Sequence, residues 1–166
     1  MLSGTLSDAV AAAITATMTA LEQSSLGAAA RGSGWLYPTA NLSHVLGAAL
    51  LVGAIATFDI QVLRGAKSAG VVARAVTPVA AFGLTLQVAS GIVLLAADAL
   101  PVVVNPAFQF KMAMFVLGLV NVAVFRWRFG SRLRADAPLD GARGLAAVSL
   151  ASWLLVLLAG RFIAYL

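Results

Sequence analysis

Cysteine is absent from the 166 residues. Disulfides, thiolate metal sites and iron–sulfur clusters are therefore excluded within this chain. Charge is scarce as well, at 10% of residues. A soluble domain carries roughly 25%, because charged side chains cover its water-facing surface. A single histidine, His44, rules out a bis-histidine haem within one chain and an ordinary zinc or copper site. Hydrolase and nucleotide signatures of the GxSxG, HExxH, Walker and Rossmann types are missing too. Ser43 and His44 are adjacent, so their side chains diverge by about 100° around a helix and form no dyad.

What the sequence has in abundance is apolar length. Hydrophobic residues make up 61% of the chain. Long runs cover residues 41–63, 75–97, 108–125 and 144–165. About 20 apolar residues span a bilayer as a helix at ~1.5 Å per residue. A soluble bundle would need polar outer faces that these runs lack. The expectation is an all-α integral membrane protein with four transmembrane helices in an up-down bundle. Residues 35–166 form that bundle, and residues 1–34 precede it as an interfacial segment with a hinge. Within the segment, residues 7–22 read as an amphipathic surface helix capped by Ser7 or Asp8, with Val10, Ile14, Met18 and Leu21 on one side. Gly32-Ser33-Gly34 is the hinge, and Trp35 and Tyr37 are interfacial anchors. Asn105-Pro106 reads as a helix start, with Asn as cap and Pro at the first position.

The net charge of +5 is unevenly placed. Arg64, Lys67 and Arg74 lie between spans one and two. Arg126, Arg128, Arg132, Arg134 and Arg143 lie at or between spans three and four. The connection 98–106 has no Lys or Arg, and residues 1–40 have only Arg31. Basic loops stay in the cytoplasm, so both termini are expected outside, in the periplasm of a bacterium. This placement accounts for the basic charge as a topology signal and attraction to the lipid bilayer, without nucleic acid. No positive n-region precedes Arg31, and the first span is expected to act as its own insertion signal.

Polar residues inside spans are functional candidates, because an unpartnered polar group in lipid is costly. His44, Lys111 and Arg161 all fall in the outer third of their spans, with Asn41 nearby and Gln87 deeper. Two cations with no acid beside them point to snorkelling or to an anion held between them. For His44 three readings stand: structural hydrogen bonding, haem-iron ligation, or contact with a quinone or lipid. In the haem version Met112 or Met114 is a second ligand, and Lys111 and Arg161 neutralise the propionates. Asp59 near the inner end of span one is expected to form an ion pair with Arg64, Lys67, Arg126 or Arg128, locking spans one and three. Asn121 reads as an interhelical hydrogen-bond donor.

The strings Trp35-Leu36-Tyr37-Pro38, Asn41-x-x-His44-x-x-Gly47 with Gly53 and Asp59, and Asn105-Pro106-x-Phe108-x-x-Lys111, together with Pro78 and Gly91, carry a resemblance. Over residues 20–125 the chain resembles a family of uncharacterised bacterial inner-membrane proteins with four predicted spans. That likeness implies location and topology, and that Asn41, His44, Asp59 and Lys111 are recurring polar positions; it implies no activity. A looser similarity to four-helix membrane cytochromes and copper-resistance membrane proteins suggests haem b, although their multiple histidines are missing here. The function expected is a small membrane subunit binding haem b, a quinone or another anionic ligand near the periplasmic face, with a role in electron transfer. The alternative is a non-catalytic scaffold: a homo-oligomer, or an accessory subunit of a membrane complex with a periplasmic partner.

Overall fold

The computed structural model describes residues 2–66, 68–163 and 165. It is all helical: α1 (Leu2–Glu22), α2 (Ser25–Gly32), α3 (Leu36–Leu63), α4 (Ala69–Ala97), α5 (Ala99–Val104), α6 (Pro106–Arg134) and α7 (Arg143–Phe162). Among the described residues four helices, α3, α4, α6 and α7, are long and apolar enough to cross a membrane.

α3, α4 and α6 outrun the apolar stretches that announced them, whereas α7 ends three residues before its stretch does. α6 ends nine residues beyond Phe125, so Arg126, Trp127 and Arg128 sit on the helix rather than past its end. Arginine is a good helix former, and its long stem lets a helix continue into the polar interface. Pro38 falls in the first turn of α3, where a missing N–H breaks no hydrogen bond. Asn105 caps α6 as expected: its side chain accepts from the N–H groups of Ala107 at 2.9 Å and Phe108 at 3.3 Å, with Pro106 at the first position.

The N-terminal segment differs from expectation in two ways. α1 starts at Leu2, which puts Ser7 and Asp8 inside the helix and not at its cap. A second helix, α2, follows, capped by Ser24, whose hydroxyl accepts from Gly27 N–H. Charges at helix ends tie this segment down. Arg31 donates to the carbonyls of Ala96 and Ala97 at the C-terminus of α4 and to Glu22 O at the end of α1. Glu22 accepts from Leu100 N–H at the start of α5. Both arrangements match the sign of the helix dipole. Gly27 lets α2 lie directly on α4, since a Cβ there would meet Ala96 O at 2.7 Å.

Within the bundle, α3 pairs with α4 and α6 with α7, and α7 also packs on α3. α4 and α6 meet only sparsely. The α3–α4 crossing is close because Gly47 and Gly83 face each other; a Cβ on Gly83 would lie 2.6 Å from Leu51 N. The start of α3, the end of α4, the start of α6 and the end of α7 share one rim, here the terminal rim. The opposite, basic rim holds the α3–α4 and α6–α7 connections. There Arg74 on α4 clasps the α6–α7 connection, making two bonds of 3.0–3.1 Å to the Asp136 carboxylate.

Candidate functional site

Two buried polar clusters lie along the bundle, one in each half. The cluster nearer the terminal rim is built on the Gly47–Gly83 crossing. One turn before Gly47, His44 projects at α4, where Gln87 and Ser90 face it and Gly91 leaves room for the imidazole; a Cβ on Gly91 would lie 3.1 Å from His44 Cε1. Gln87 Nε2 lies 2.9 Å from His44 Nε2, and Lys111 Nζ from α6 lies 3.3 Å from the same atom. An ammonium only donates, so His44 Nε2 accepts and the ring carries its proton on Nδ1. Nδ1 lies 3.2 Å from Ser90 Oγ, and Ser90 donates onward to Leu86 O at 2.5 Å. The order of donation is thus Lys111, His44, Ser90 and then backbone carbonyl, with Gln87 as a second donor to the ring. Its Oε1 is left buried without a partner.

Sequence reasoning expected six residues here, and the fold brings three together: His44, Gln87 and Lys111. Arg161 is not among them. It is exposed, stacks on the Tyr165 ring at 4.8 Å and donates to the Tyr165 hydroxyl at 2.5 Å. Snorkelling toward the rim lets its guanidinium keep water. Asn41 is exposed as well, and Met114 makes no contact with the ring nitrogens, while Met112 is 40% exposed. Ser90 is a further member of the cluster; its spacing of three from Gln87, on the same face of α4, was the available signal in the sequence.

The second cluster lies toward the basic rim, some 15 residues or ~22 Å further along α3. Asp59 is 2% exposed, Ser149 on α7 lies beside it on the wall of the same cavity, and its Oδ2 is buried with no partner. The expected ion pair is not formed. Arg64 follows Asp59 by five residues, about 140° round the helix once the full turn is removed, and it faces outward. Arg126 is exposed and comes no closer than the ion-pair limit; among the described residues the ion pair is Arg74–Asp136. Lys67 lies outside the described residues. Asn121 does bridge helices, donating to Leu145 O on α7 at 3.0 Å.

Asp59 also lines a cavity of about 270 Å³ at the centre of the bundle. Its walls are mostly apolar, with Leu51, Phe58, Leu84 and Trp153 among them, and its other polar lining residues are Thr77, Asn121, Arg126 and Ser149. Trp153 is 1% exposed, packs edge-on against Phe115 and lies over Gly118; its Nε1 has no hydrogen-bond partner. On the α4–α6 side the lining residues Thr77, Ala81 and Leu119 are exposed, so the cavity opens on the outer surface of the bundle through the sparse α4–α6 contact. None of His44, Gln87, Ser90 or Lys111 lines this cavity.

Among the described residues, no group of three or more His, Asp or Glu side chains is placed to hold a metal ion. As arranged, both ring nitrogens of His44 are engaged, so iron ligation would require displacing Lys111 and Gln87 from Nε2. Comparison with protein-family models, curated proteins and solved structures finds no match for this chain.

Proposed function

We propose that this chain is a membrane-embedded binding subunit whose site is the central cavity. It takes a small, largely apolar molecule from the bilayer and holds it by a hydrogen bond to Asp59. One observation carries this reading. A mostly apolar cavity of about 270 Å³ is lined by Asp59, and the protein leaves one of the Asp59 carboxyl oxygens without a partner. Ligand sites are typically apolar hollows with a few placed polar groups, and a buried polar group without a partner costs stability. Of the ligands expected from sequence, a quinone in its reduced form, whose hydroxyls can donate to Asp59, suits this volume and these walls, whereas haem b finds neither the space nor a free histidine nitrogen. The positive-inside pattern supports a bacterial inner membrane with the basic rim in the cytoplasm and both termini in the periplasm. Because the chain has no cysteine, single cysteines at Ser131 and at Asp98 test that orientation cleanly. The reading expects Asp98→Cys, but not Ser131→Cys, to react with an impermeant maleimide added to intact cells.

Native mass spectrometry of protein extracted in mild detergent tests the binding function. A small-molecule adduct is expected on the wild type and absent from Ala80→Phe, which fills the cavity from α4. An adduct equally abundant on the variant, or none on the wild type after soaking with candidate membrane-soluble rings, counts against the proposal.

A second reading, an accessory or scaffold subunit, draws on the exposed small-residue stripe Ala49, Gly53 and Thr57 of α3. Such a stripe allows close approach of another span, from a second copy or a partner. Under it, Gly53→Leu changes the size of the solubilised assembly while leaving the chain folded.

A further inference from the structure

Away from the two buried clusters, charge is most unbalanced at the basic rim. The connections there, residues 64–68 and 135–142, hold two acids, Asp136 and Asp140. Both carboxylate oxygens of Asp136 are taken by Arg74. Near the end of α6, Arg128 and Arg132 lie one turn apart on one face, and each guanidinium sits 6.0 Å from the centre of the Phe129 ring. Phe129 is fixed in the core with Val62, Ala69, Ala142 and Ala146, so one rigid ring anchors both cations. Both arginines are exposed, and neither forms an ion pair among the described residues. Like charges one turn apart on a helix repel. The dipole of α6 favours Arg132, in the last turn, but fades before Arg128. Two fixed guanidiniums, each rich in donors and without a carboxylate, match an anion held between them.

The level of the pair along α6 selects the source of that anion. Trp127 adjoins it and is 84% exposed. An indole exposed at the end of a span belongs at head-group level. Arg128 lies ~1.5 Å beyond Trp127 along the helix axis, and Arg132 ~7.5 Å beyond it. The head-group layer is roughly 5–7 Å thick on each side of the hydrocarbon, so the two guanidiniums bracket the phosphates. A zwitterionic lipid offers a phosphate too, but its ammonium meets a rim with surplus positive charge. A lipid of net negative charge has no such repulsion. We infer that Arg128 and Arg132 form a two-pronged site for the head-group phosphate of an anionic phospholipid. The site is separate from the central cavity, which neither arginine lines.

The test is native mass spectrometry of the full chain in detergent with equimolar dioleoyl phosphatidylglycerol and dioleoyl phosphatidylcholine. One basic residue near an anionic surface is worth about fivefold in binding. Wild type is expected to carry about tenfold more phosphatidylglycerol than phosphatidylcholine adduct. In Arg128→Gln/Arg132→Gln the two adducts should be nearly equal. Arg64→Gln/Arg134→Gln removes the same charge from the rim outside the pair, since Arg134 lies about 160° round α6 from Arg132. That variant should keep most of the preference. Arg128→Lys/Arg132→Lys retains the charge but loses the planar forks, and should keep only part of it. No preference in wild type overturns the site. Equal loss in the two glutamine pairs overturns the clamp in favour of a diffuse field, and full preference in the lysine pair overturns recognition by the forks. An excess of inorganic phosphate that strips the phosphatidylglycerol adduct overturns the lipid in favour of a free anion.

Discussion

The two halves of the bundle handle buried polarity in opposite ways. Near the terminal rim, His44, Ser90 and Lys111 engage one another and Gln87 in a chain of donors that ends on a backbone carbonyl. One amide oxygen is left over, and none of these residues lines the central cavity. Near the basic rim, Asp59 has a single hydroxyl neighbour, an orphaned oxygen and open space beside it. The half richer in versatile side chains is thus the closed one. Its physical work is to join the hairpins: Lys111 comes from α6, His44 from α3, and the helices between which it reaches otherwise touch little. The proposed function places binding where hydrogen-bonding potential and volume are both left over, which is a different criterion from the presence of a histidine.

The most damaging change should be one that removes the platform of the closed half. In Gly83→Leu, the new Cβ would lie 2.6 Å from Leu51 N and 2.9 Å from Gly47 O, both backbone atoms that cannot swing aside. α3 and α4 must separate, which takes Gln87 and Ser90 away from His44. A loss of about 3 kcal/mol or more is expected for such overpacking, read as failure to recover a monodisperse species from detergent. Recovery of wild-type yield and melting behaviour would mean that the crossing is far more plastic than its glycines imply. Next in size is His44→Leu, which leaves the Lys111 ammonium, the Gln87 amide and the Ser90 hydroxyl without their shared partner. Stranding buried donors costs about 1–3 kcal/mol each and more for a charge, partly relieved as Lys111 snorkels. A lowered midpoint in detergent unfolding, of about 2–3 kcal/mol, is the expected outcome. An unchanged midpoint would show that the network holds nothing together.

Much of this was legible in the sequence, and the limits have physical causes. Apolar length and charge placement identify four spans, because a bilayer imposes a minimum length and penalises charge. The Asn105-Pro106 cap is local, so its residues suffice. The pairing of His44 with Lys111 was accessible from depth alone, whereas Gln87 was placed deeper than the ring it meets. What depth does not encode is rotation about each helix axis, which decides whether a side chain meets the bundle or the lipid. Arg161 shares the depth of Lys111 and yet turns outward to Tyr165. Asp59 was paired with arginines by the same shortcut, whereas its direction is set by the face that α3 turns to α7. A cavity is harder still to read, since it arises where four side-chain surfaces fail to meet. The α2 helix was missed because its eight residues, mostly small, make only about two turns.

Asp59→Leu sharpens the contrast by reversing the sign. Removing a carboxyl with an orphaned oxygen relieves a desolvation penalty, and leucine fills part of an apolar cavity. The expected result is a gain of about 1 kcal/mol in detergent unfolding, with loss of the adduct expected on the wild type in native mass spectrometry. Stability purchased by losing the ligand is the signature of a functional site, whereas His44→Leu loses stability. If Asp59→Leu instead destabilised as much as His44→Leu, both clusters would be structural and the contrast between the halves would vanish.

The smallest effect belongs to the clasp at the basic rim. Arg74 and Asp136 form a two-bond ion pair, but their side chains are 56% and 47% exposed. Exposed pairs contribute about 0–1 kcal/mol because water screens the attraction and ordering two long side chains costs entropy. The backbone argues for the upper part of that range. Asp136 is held at φ 52°, an uncommon left-handed conformation for a residue other than glycine, and its carboxylate sits over Gly70 at the start of α4. Arg74→Ala should therefore cost a few tenths to about 1 kcal/mol, and the difference from wild type should shrink in about 1 M salt, where the screening length is ~3 Å. Because the clasp joins α4 to the α6–α7 connection, its loss should also loosen the sparse α4–α6 contact beside the cavity. Faster exchange of the bound ring, at nearly unchanged affinity, is the corresponding kinetic outcome. A loss of stability well above 1 kcal/mol that persists in high salt would move the bundle's main fastening from the His44 cluster to the basic rim.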